Sequence, residues 1–164
     1  MRSHGKIPPV RSVLIYPRED GHARTTLLDA VEYLREQGVT VAVPSEVEKV
    51  EGADGVAALA LRDVDLIIAL GGDGTLLRAS RWAATAGIPV LGINLGELGF
   101  LTAYNRDEAR TALAAAVRGE LTWEARMRMR VEVRRGEELL AIEHACNDAY
   151  IKHGDVPRLL LLST

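Results

Sequence analysis

Four short, almost wholly apolar runs recur along the first hundred residues of the chain. They occupy residues 12–16, 39–43, 65–70 and 88–93. Apolar residues follow one another in these runs without alternating with polar ones, which is typical of strands buried on both faces of a parallel sheet. The pattern therefore predicts four strands of such a sheet.

Helical patterns fill the segments between these strands. Apolar residues recur at helical spacing from Leu27 to Leu34, and Gly38 stands where that helix should end. The two other candidates are residues 53–63, rich in alanine and leucine, and residues 75–86, followed by Gly87. Strands that alternate with helices predict an open α/β sheet with right-handed crossovers.

The pattern changes after residue 104. Asn105 and Glu108 have the spacing of a capping box, so an alanine-rich helix is expected from there to Arg118, with Gly119 at its end. Beyond residue 122 the alternation of strands and helices stops.

A period-two pattern follows, in which methionine and valine alternate with mostly basic residues over residues 126–134. It predicts a half-exposed antiparallel strand, with a turn at residues 135–137 and return strands at residues 138–152. The arginines could form a phosphate-binding patch, but a solvated strand face is the preferred interpretation.

Together these patterns predict two domains. Residues 1–104 are expected to form an open parallel α/β domain, and residues 105–164 a linking helix with the first strands of a β-rich domain. The apolar run at residues 159–162 looks like the middle of a strand and lies close to Thr164. The β-rich domain is therefore expected to be truncated.

Composition narrows the class of protein. Of 164 residues, 48% are hydrophobic and 26% charged, which is typical of a globular domain. A net charge of −3 gives no electrostatic reason to expect nucleic-acid binding. Cys146 is the only cysteine and the four histidines are scattered, so neither a disulfide framework nor a protein-built metal cluster is expected. No apolar run could span a bilayer and no secretory signal is visible, so we expect a cytoplasmic protein without membrane contact.

The strongest chemical signal is the segment Gly71-Gly72-Asp73-Gly74-Thr75, directly after a predicted strand and before a predicted helix. Ligands bind at the carboxyl ends of such strands, and glycine-rich turns with a helix N-terminus behind them cradle phosphates. Asp73 would be repelled by phosphates unless a metal bridges them or the carboxylate accepts a proton, and both options suggest phosphoryl transfer to a hydroxyl. The alternative is an ordinary turn with Asp73 as the helix N-cap.

Two weaker signals follow in the chain. The segment 94–102 comes after the next strand, where Asn94 could bind a ligand and Phe100 could stack on a base or simply lie in the core. Asn147 and Asp148 interrupt an apolar stretch, where they could hold ribose hydroxyls or form a turn.

These segments together resemble the NAD kinases. The matching residues are GGDGT at 71–75, NLGELGFLT at 94–102 and ND at 147–148, in the family's order and approximate spacing. GGDGT is shared with diacylglycerol and sphingosine kinases and partly with phosphofructokinases, whereas the second segment is more discriminating. Lipid kinases are expected to have a P-x-G-T-x-N-D type segment there, which this chain lacks.

The resemblance implies roles for individual residues. Asp73 matches the family's catalytic aspartate. The carboxylate of that residue accepts the proton of the adenosine ribose 2′-hydroxyl or aligns that hydroxyl. Two groups of residues match positions around the ligands: the nucleotide-contacting loop of Gly71, Gly72, Gly74 and Thr75, and the Asn147–Asp148 pair that holds NAD. Arg78 and Arg158 match basic positions that approach the ligand, although a surface helix residue and a strand-edge charge are their plain alternatives.

The resemblance also implies an enzyme that makes NADP from NAD. The donor would be ATP or inorganic polyphosphate, the cofactor a divalent metal, usually Mg²⁺, and the whole protein a homo-oligomer. The rivals are a lipid or other small-molecule kinase with the same GGDGT motif, and a nucleotide-binding module without activity. Two departures are Glu97, often basic or polar in relatives, and the absence of a later T-G-S-T-A-Y-like segment. This chain alone is therefore expected to be inactive.

Overall fold

A computed structural model of the chain describes residues 4–18, 23–45, 47, 50–55, 61–97, 99–146 and 149. The chain divides into two compact units, Met1–Ala125 and Arg126–Thr164. In chain order the strands are β1 (His4–Lys6), β2 (Ser12–Pro17), β3 (Thr40–Val43), β4 (Asp54–Gly55), β5 (Leu66–Leu70), β6 (Val90–Asn94), β7 (Tyr104–Asn105), β8 (Thr122–Glu124), β9 (Met129–Arg135) and β10 (Glu138–Ala145). The helices are α1 (Arg24–Glu36), α2 (Asp73–Ala86) and α3 (Ala109–Arg118).

A parallel sheet of six strands forms the centre of the first unit. Its order is β4-β3-β2-β5-β6-β7, and every neighbouring pair runs parallel. The four predicted strands are confirmed as β2, β3, β5 and β6. The two-residue strands β4 and β7 extend the sheet at its edges, beyond what the apolar runs predicted.

Helices cover both faces of this sheet, which explains why its strands are apolar without alternation. Alternate residues of β5 face opposite sides: Ile68 packs in the core beneath α1 and α3, and Ile67 packs in the core beneath α2. Both side chains are fully buried. These strands end where their burial on both faces ends, and the polar loops follow directly after the strand ends.

The helix predicted over residues 53–63 is wrong where the structure describes it. Asp54 and Gly55 pair in parallel with Ala42 and Val43 of β3, and Leu61–Asp63 forms one turn of 3₁₀ helix. The open edge of β3 offers backbone donors and acceptors that must be paired, and this tertiary demand outweighs the local preference of alanine and leucine for a helix. Residues 56–60 lie outside the described residues.

The other helix predictions are confirmed. α1, α2 and α3 end as expected at Gly38, Gly87 and Gly119, each with a positive φ. The capping box is present before α3: the Asn105 N–H donates to Glu108 Oε2 over 2.9 Å, and the Glu108 N–H donates to Asn105 Oδ1 over 3.1 Å. The buried face of α3 belongs to the same core as α1, within the first unit. The expected role of this segment as a link between two domains stays a prediction.

Strands β1 and β8 form an antiparallel pair that the sequence patterns did not predict. Gly5 lies opposite Trp123 in this pair, and a Cβ atom at position 5 would lie 2.9 Å from the indole Nε1. Through this pairing, the segment after α3 is hydrogen-bonded to residues near the start of the chain.

The second unit contains the predicted antiparallel hairpin of β9 and β10. The register pairs Met129 with Ala145 and Val133 with Ala141, and it shifts between Leu139 and Ala141. Return strands beyond residue 146 and the run at residues 159–162 lie outside the described residues.

The arginines of this hairpin are exposed, and two of them are paired. Arg130 and Arg134 both form ion pairs with Glu132 on the same strand. The pKa of Glu132 lies below its ordinary value. The main cause is the hydrogen bond from Arg134, and the next is the hydrogen bond from Arg130. The pairing agrees with a solvated strand face. Within the described part of the chain, no helix has the length and apolar character needed to cross a membrane.

Candidate active site

Two loops meet at the carboxyl edge of the parallel sheet. Leu70 at the end of β5 pairs with Ile93 near the end of β6, and the Gly71 N–H donates to the Ile93 carbonyl over 2.9 Å. The segments that follow these strands therefore leave the sheet side by side, as expected for neighbouring parallel strands.

The first loop turns directly into α2. Gly72 is the N-cap, and its carbonyl accepts hydrogen bonds from the amides of Thr75 and Leu76 over 3.0 and 3.1 Å. The amides of Asp73 and Gly74 precede these donors and have no acceptor within the helix. A Cβ atom at position 72 or 74 would meet no atom within 4 Å. An open helix N-terminus of this kind suits an anion such as phosphate.

Gly71 is required by a close contact. The Thr75 side chain folds back over it, so a Cβ atom at position 71 would lie 2.8 Å from Thr75 Cβ and overlap Thr75 Oγ1. Any larger residue would push Thr75 away and open the turn.

The Asp73 carboxylate joins the two loops. Its Oδ2 accepts the N–H of Phe100 over 2.9 Å, and its Oδ1 accepts the N–H of Leu101 over 3.0 Å. Gly72, not Asp73, is the helix N-cap, so the alternative of Asp73 as a capping residue is wrong. The carboxylate is held at a helix N-terminus by two amides from another loop, with part of its surface still accessible.

Asn94, at the end of β6, is only 2% exposed. Its Nδ2 donates to the Glu97 carbonyl over 2.6 Å and to Thr102 Oγ1 over 3.3 Å, while its Oδ1 accepts the Gly96 N–H over 3.0 Å. Its amide group is therefore used within the loop, and the expected contact of Asn94 with a ligand stays a prediction.

Phe100 lies on the surface beside Asp73. Its side chain is fully exposed, with a relative accessibility of 101%, so the alternative that places this ring in the core is wrong. An exposed ring next to a polar loop is free to stack on a flat ligand group.

Of the remaining predicted site residues, the structure describes Arg78 but not the other three. Arg78 is exposed on α2, one turn past Gly74 in the same helix. Asn147, Asp148 and Arg158 lie outside the described residues. Among the residues that are described, no group of three or more His, Cys, Asp or Glu side chains lies close enough to hold a metal ion.

The donors that hold Asp73 were not predicted from the sequence. They are backbone amides, and the only signal for them was the glycine spacing in the segment 94–102. A cleft of about 570 Å³ between α1 and α3, lined in part by Tyr33, Arg106 and Arg110, was not predicted either. The Arg110 guanidinium lies 4.5 Å from the centre of the Tyr33 ring in that cleft.

Comparison with known proteins gives consistent results. Residues 14–121 match the ATP-NAD kinase N-terminal domain. The NAD kinase of Moorella thermoacetica is 40% identical over 146 residues, a match that covers 88% of this chain and 47% of that protein. The NAD kinase of Geobacter metallireducens is 34% identical over 133 residues, covering 80% and 47%.

The fold is also found in a solved structure. Yeast NADH kinase, crystallised in complex with NADH, superposes with a TM-score of 0.69 at 22% identity, over 85% of this chain and 47% of the yeast chain. This chain spans about half the length of the relatives it matches.

Proposed function

Because this chain belongs to the NAD kinase family, we propose that the protein transfers the terminal phosphoryl group of ATP, or of inorganic polyphosphate, to NAD. The acceptor is the 2′-hydroxyl of the adenosine ribose, and the product is NADP. The observation that carries this proposal is the position of Asp73, whose carboxylate is fixed by the amides of Phe100 and Leu101 beside the open N-terminus of α2.

Each part of this edge has a task in the reaction. The amides at the start of α2 bind phosphate oxygens, as helix N-termini commonly do. The Asp73 carboxylate orients the 2′-hydroxyl and accepts its proton while the oxygen forms a bond to the terminal phosphorus. The bond from that phosphorus to the bridging oxygen breaks, and the donor leaves as ADP or as polyphosphate shortened by one phosphate. Positioning and charge neutralisation supply most of the catalysis in transfers of this type.

At this edge one carboxylate, that of Asp73, would be a donor to a divalent metal, which is Mg²⁺ by analogy with the family. Mg²⁺ usually binds one or two carboxylates together with substrate phosphates and water. Asp73 is the carboxylate in position to hold it, directly or through water, alongside the phosphates. Bound there, the metal would neutralise phosphate charge.

The remaining predicted residues act on the substrates in this proposal. Phe100 stacks on a base, which its full exposure permits. Asn147 and Asp148 hold the NAD ribose through its hydroxyls, and Arg78 and Arg158 approach the phosphates. The protein is cytoplasmic, uses neither nucleic acid nor membrane as a partner, and assembles as a homo-oligomer through its β-rich region.

The test is an acceptor assay with two forms of the protein. One form is this chain, and the other is this chain joined to the carboxyl-terminal half of the Moorella thermoacetica relative, because the chain spans about half of that protein. Each is incubated with Mg²⁺, ATP or polyphosphate, and NAD, NADH, diacylglycerol or sphingosine. We expect NADP from NAD in the joined form, and its loss in the same form with Asp73→Asn.

The other outcomes separate the rivals. A phosphorylated lipid without NADP would make the protein a lipid kinase with the same loop. NAD binding without NADP from either form and either donor would make it a nucleotide-binding module. Both results would contradict the proposal.

A further inference from the structure

We propose that the loop after β6 sets the position of the Asp73 carboxylate, and that Asn94, Gly99 and Thr102 are positioning residues for this purpose. We call the set of Asn94, Gly99, Phe100, Leu101 and Thr102 the clamp. The effect of the clamp on turnover rests on the function proposed above, whereas the clamp itself rests only on contacts between described residues.

Two neighbouring amides fix both oxygens of one carboxylate. An aspartate in the first turn of a helix can rotate about two side-chain bonds, and the Phe100 and Leu101 N–H groups remove that freedom by binding Oδ2 and Oδ1 separately. Consecutive N–H groups point to one carboxylate only in a defined backbone conformation. The orientation of Asp73 therefore depends on the shape of a loop 27 residues further along the chain.

Asn94 holds that loop in shape. It is buried at the end of β6, and its Nδ2 reaches the Glu97 carbonyl on one side and Thr102 Oγ1 on the other. A buried donor left without an acceptor is unfavourable, so alternative loop shapes that break these bonds are disfavoured. Asn94 thus acts on Asp73 through the loop and needs no contact with substrate.

Thr102 ties the far end of the clamp to the sheet. It is buried, and its methyl group lies against β6, where a Cβ atom at position 92 would be only 3.0 Å from Thr102 Cγ2. Its hydroxyl also accepts the long hydrogen bond from Asn94.

Gly99 leaves the room that the carboxylate occupies. A Cβ atom at position 99 would overlap Asp73 Oδ1 and lie 2.8 Å from Asp73 Cγ and 2.9 Å from Thr102 Oγ1. Gly96, in the same loop, offers a matched comparison, because a Cβ atom there would meet only Asn94 Oδ1, at 3.9 Å. Alanine at position 99 must therefore displace Asp73, whereas alanine at position 96 fits.

Within the clamp, Gly99 and Thr102 act on the position of Asp73 and have no substrate contact in the proposed function, so their replacement should lower kcat and leave the KM for NAD nearly unchanged. A displacement of about 1 Å in a reacting group can reduce turnover by about 10²-fold. We therefore expect Gly99→Ala to lower kcat by about 10²-fold, and Gly96→Ala to leave kcat and KM unchanged. The assay uses the joined form described above, with ATP, Mg²⁺ and NAD.

A second pair of variants guards against misfolding at position 99. Thr102→Ser keeps the hydroxyl that accepts from Asn94, and Thr102→Val removes it while preserving the volume. The serine variant loses only the methyl contact with β6, so we expect a clearly larger loss of kcat in the valine variant than in the serine variant. Equal turnover in the two would contradict a positioning role for this hydroxyl.

Amide hydrogen exchange, measured by NMR on this chain, tests the clamp without any activity. The Phe100 and Leu101 amides should exchange slowly in the unmodified chain and in Gly96→Ala, and quickly in Gly99→Ala. If no form makes NADP, the proposed function fails and this exchange pattern alone decides on the clamp. Normal turnover in Gly99→Ala, or equal exchange of both amides in the two glycine variants, would overturn the inference.

Discussion

Asp73 shows how one side chain acquires a function from its surroundings. It begins α2, where the helix dipole favours a negative charge, and its two oxygens are bound by amides of Phe100 and Leu101. A carboxylate used only to cap its own helix would bond to amides of that helix. The two bonds to another loop instead hold the Asp73 carboxylate against the segment that follows β6.

The Asp73→Asn variant tests this residue in the joined form of the protein. An amide removes the negative charge, and its NH₂ group cannot accept one of the two backbone N–H bonds. We expect kcat to fall by about 10²-fold or more, and the affinity for NAD to change far less. Steady-state kinetics with ATP and NAD measure both, and Asp107→Asn, an exposed aspartate on the same unit, serves as the control. Near-normal turnover in Asp73→Asn would end the catalytic assignment.

At the scale of secondary structure, local residue chemistry decides where the helices begin and end. In the capping box, the side chains of Asn105 and Glu108 each accept the backbone N–H of the other residue at the start of α3. α3 in turn covers part of the sheet with buried alanines and Leu113. A weaker start of this helix should therefore lower the stability of the whole first unit.

We expect Asn105→Ala to lower the free energy of unfolding by about 1 kcal/mol. Urea denaturation followed by circular dichroism measures the change. Asp107→Ala is the matched control, since this exposed neighbour takes no part in the capping box. Identical unfolding midpoints for the two variants would show that the capping box does not stabilise α3.

At the scale of the whole molecule, the two units differ in how they bury apolar surface. The first unit covers both faces of its sheet with helices. Among the described residues of the second unit, several large apolar side chains are exposed: Met127, Met129, Val133, Leu139, Leu140 and Ile142. An isolated hairpin is at best marginally stable in water, so most of the stability of the chain should come from the first unit.

Residues 1–125 should therefore unfold cooperatively in isolation, with a free energy of unfolding close to that of the longer chain. Ile68→Ala removes a fully buried side chain from the central strand β5 and should cost about 2–5 kcal/mol in both lengths. Urea titrations of the four proteins measure these values. A gradual transition for residues 1–125, or a cost of Ile68→Ala that depends on chain length, would contradict the independence of the first unit.

The sequence by itself determined the parts of this protein that depend on local spacing. The continuous apolar runs identified β2, β3, β5 and β6, because only strands covered on both faces need to be apolar throughout. The glycines and the capping box located the helix ends, since the conformations they favour are properties of a few adjacent residues. The position of the two polar segments directly after predicted strands, where ligands bind in such sheets, followed from their order along the chain.

Only the tertiary structure decided the contacts that depend on distant segments. β4 and β7 are too short to be recognised from a pattern, and they form because the sheet edges need hydrogen-bonding partners. The exposure of Phe100 could not be read from its residue type, because phenylalanine is among the residues most often buried in a core. The donors to Asp73 are backbone amides, and every residue except proline carries one, so the sequence cannot mark which two the fold will bring to the carboxylate.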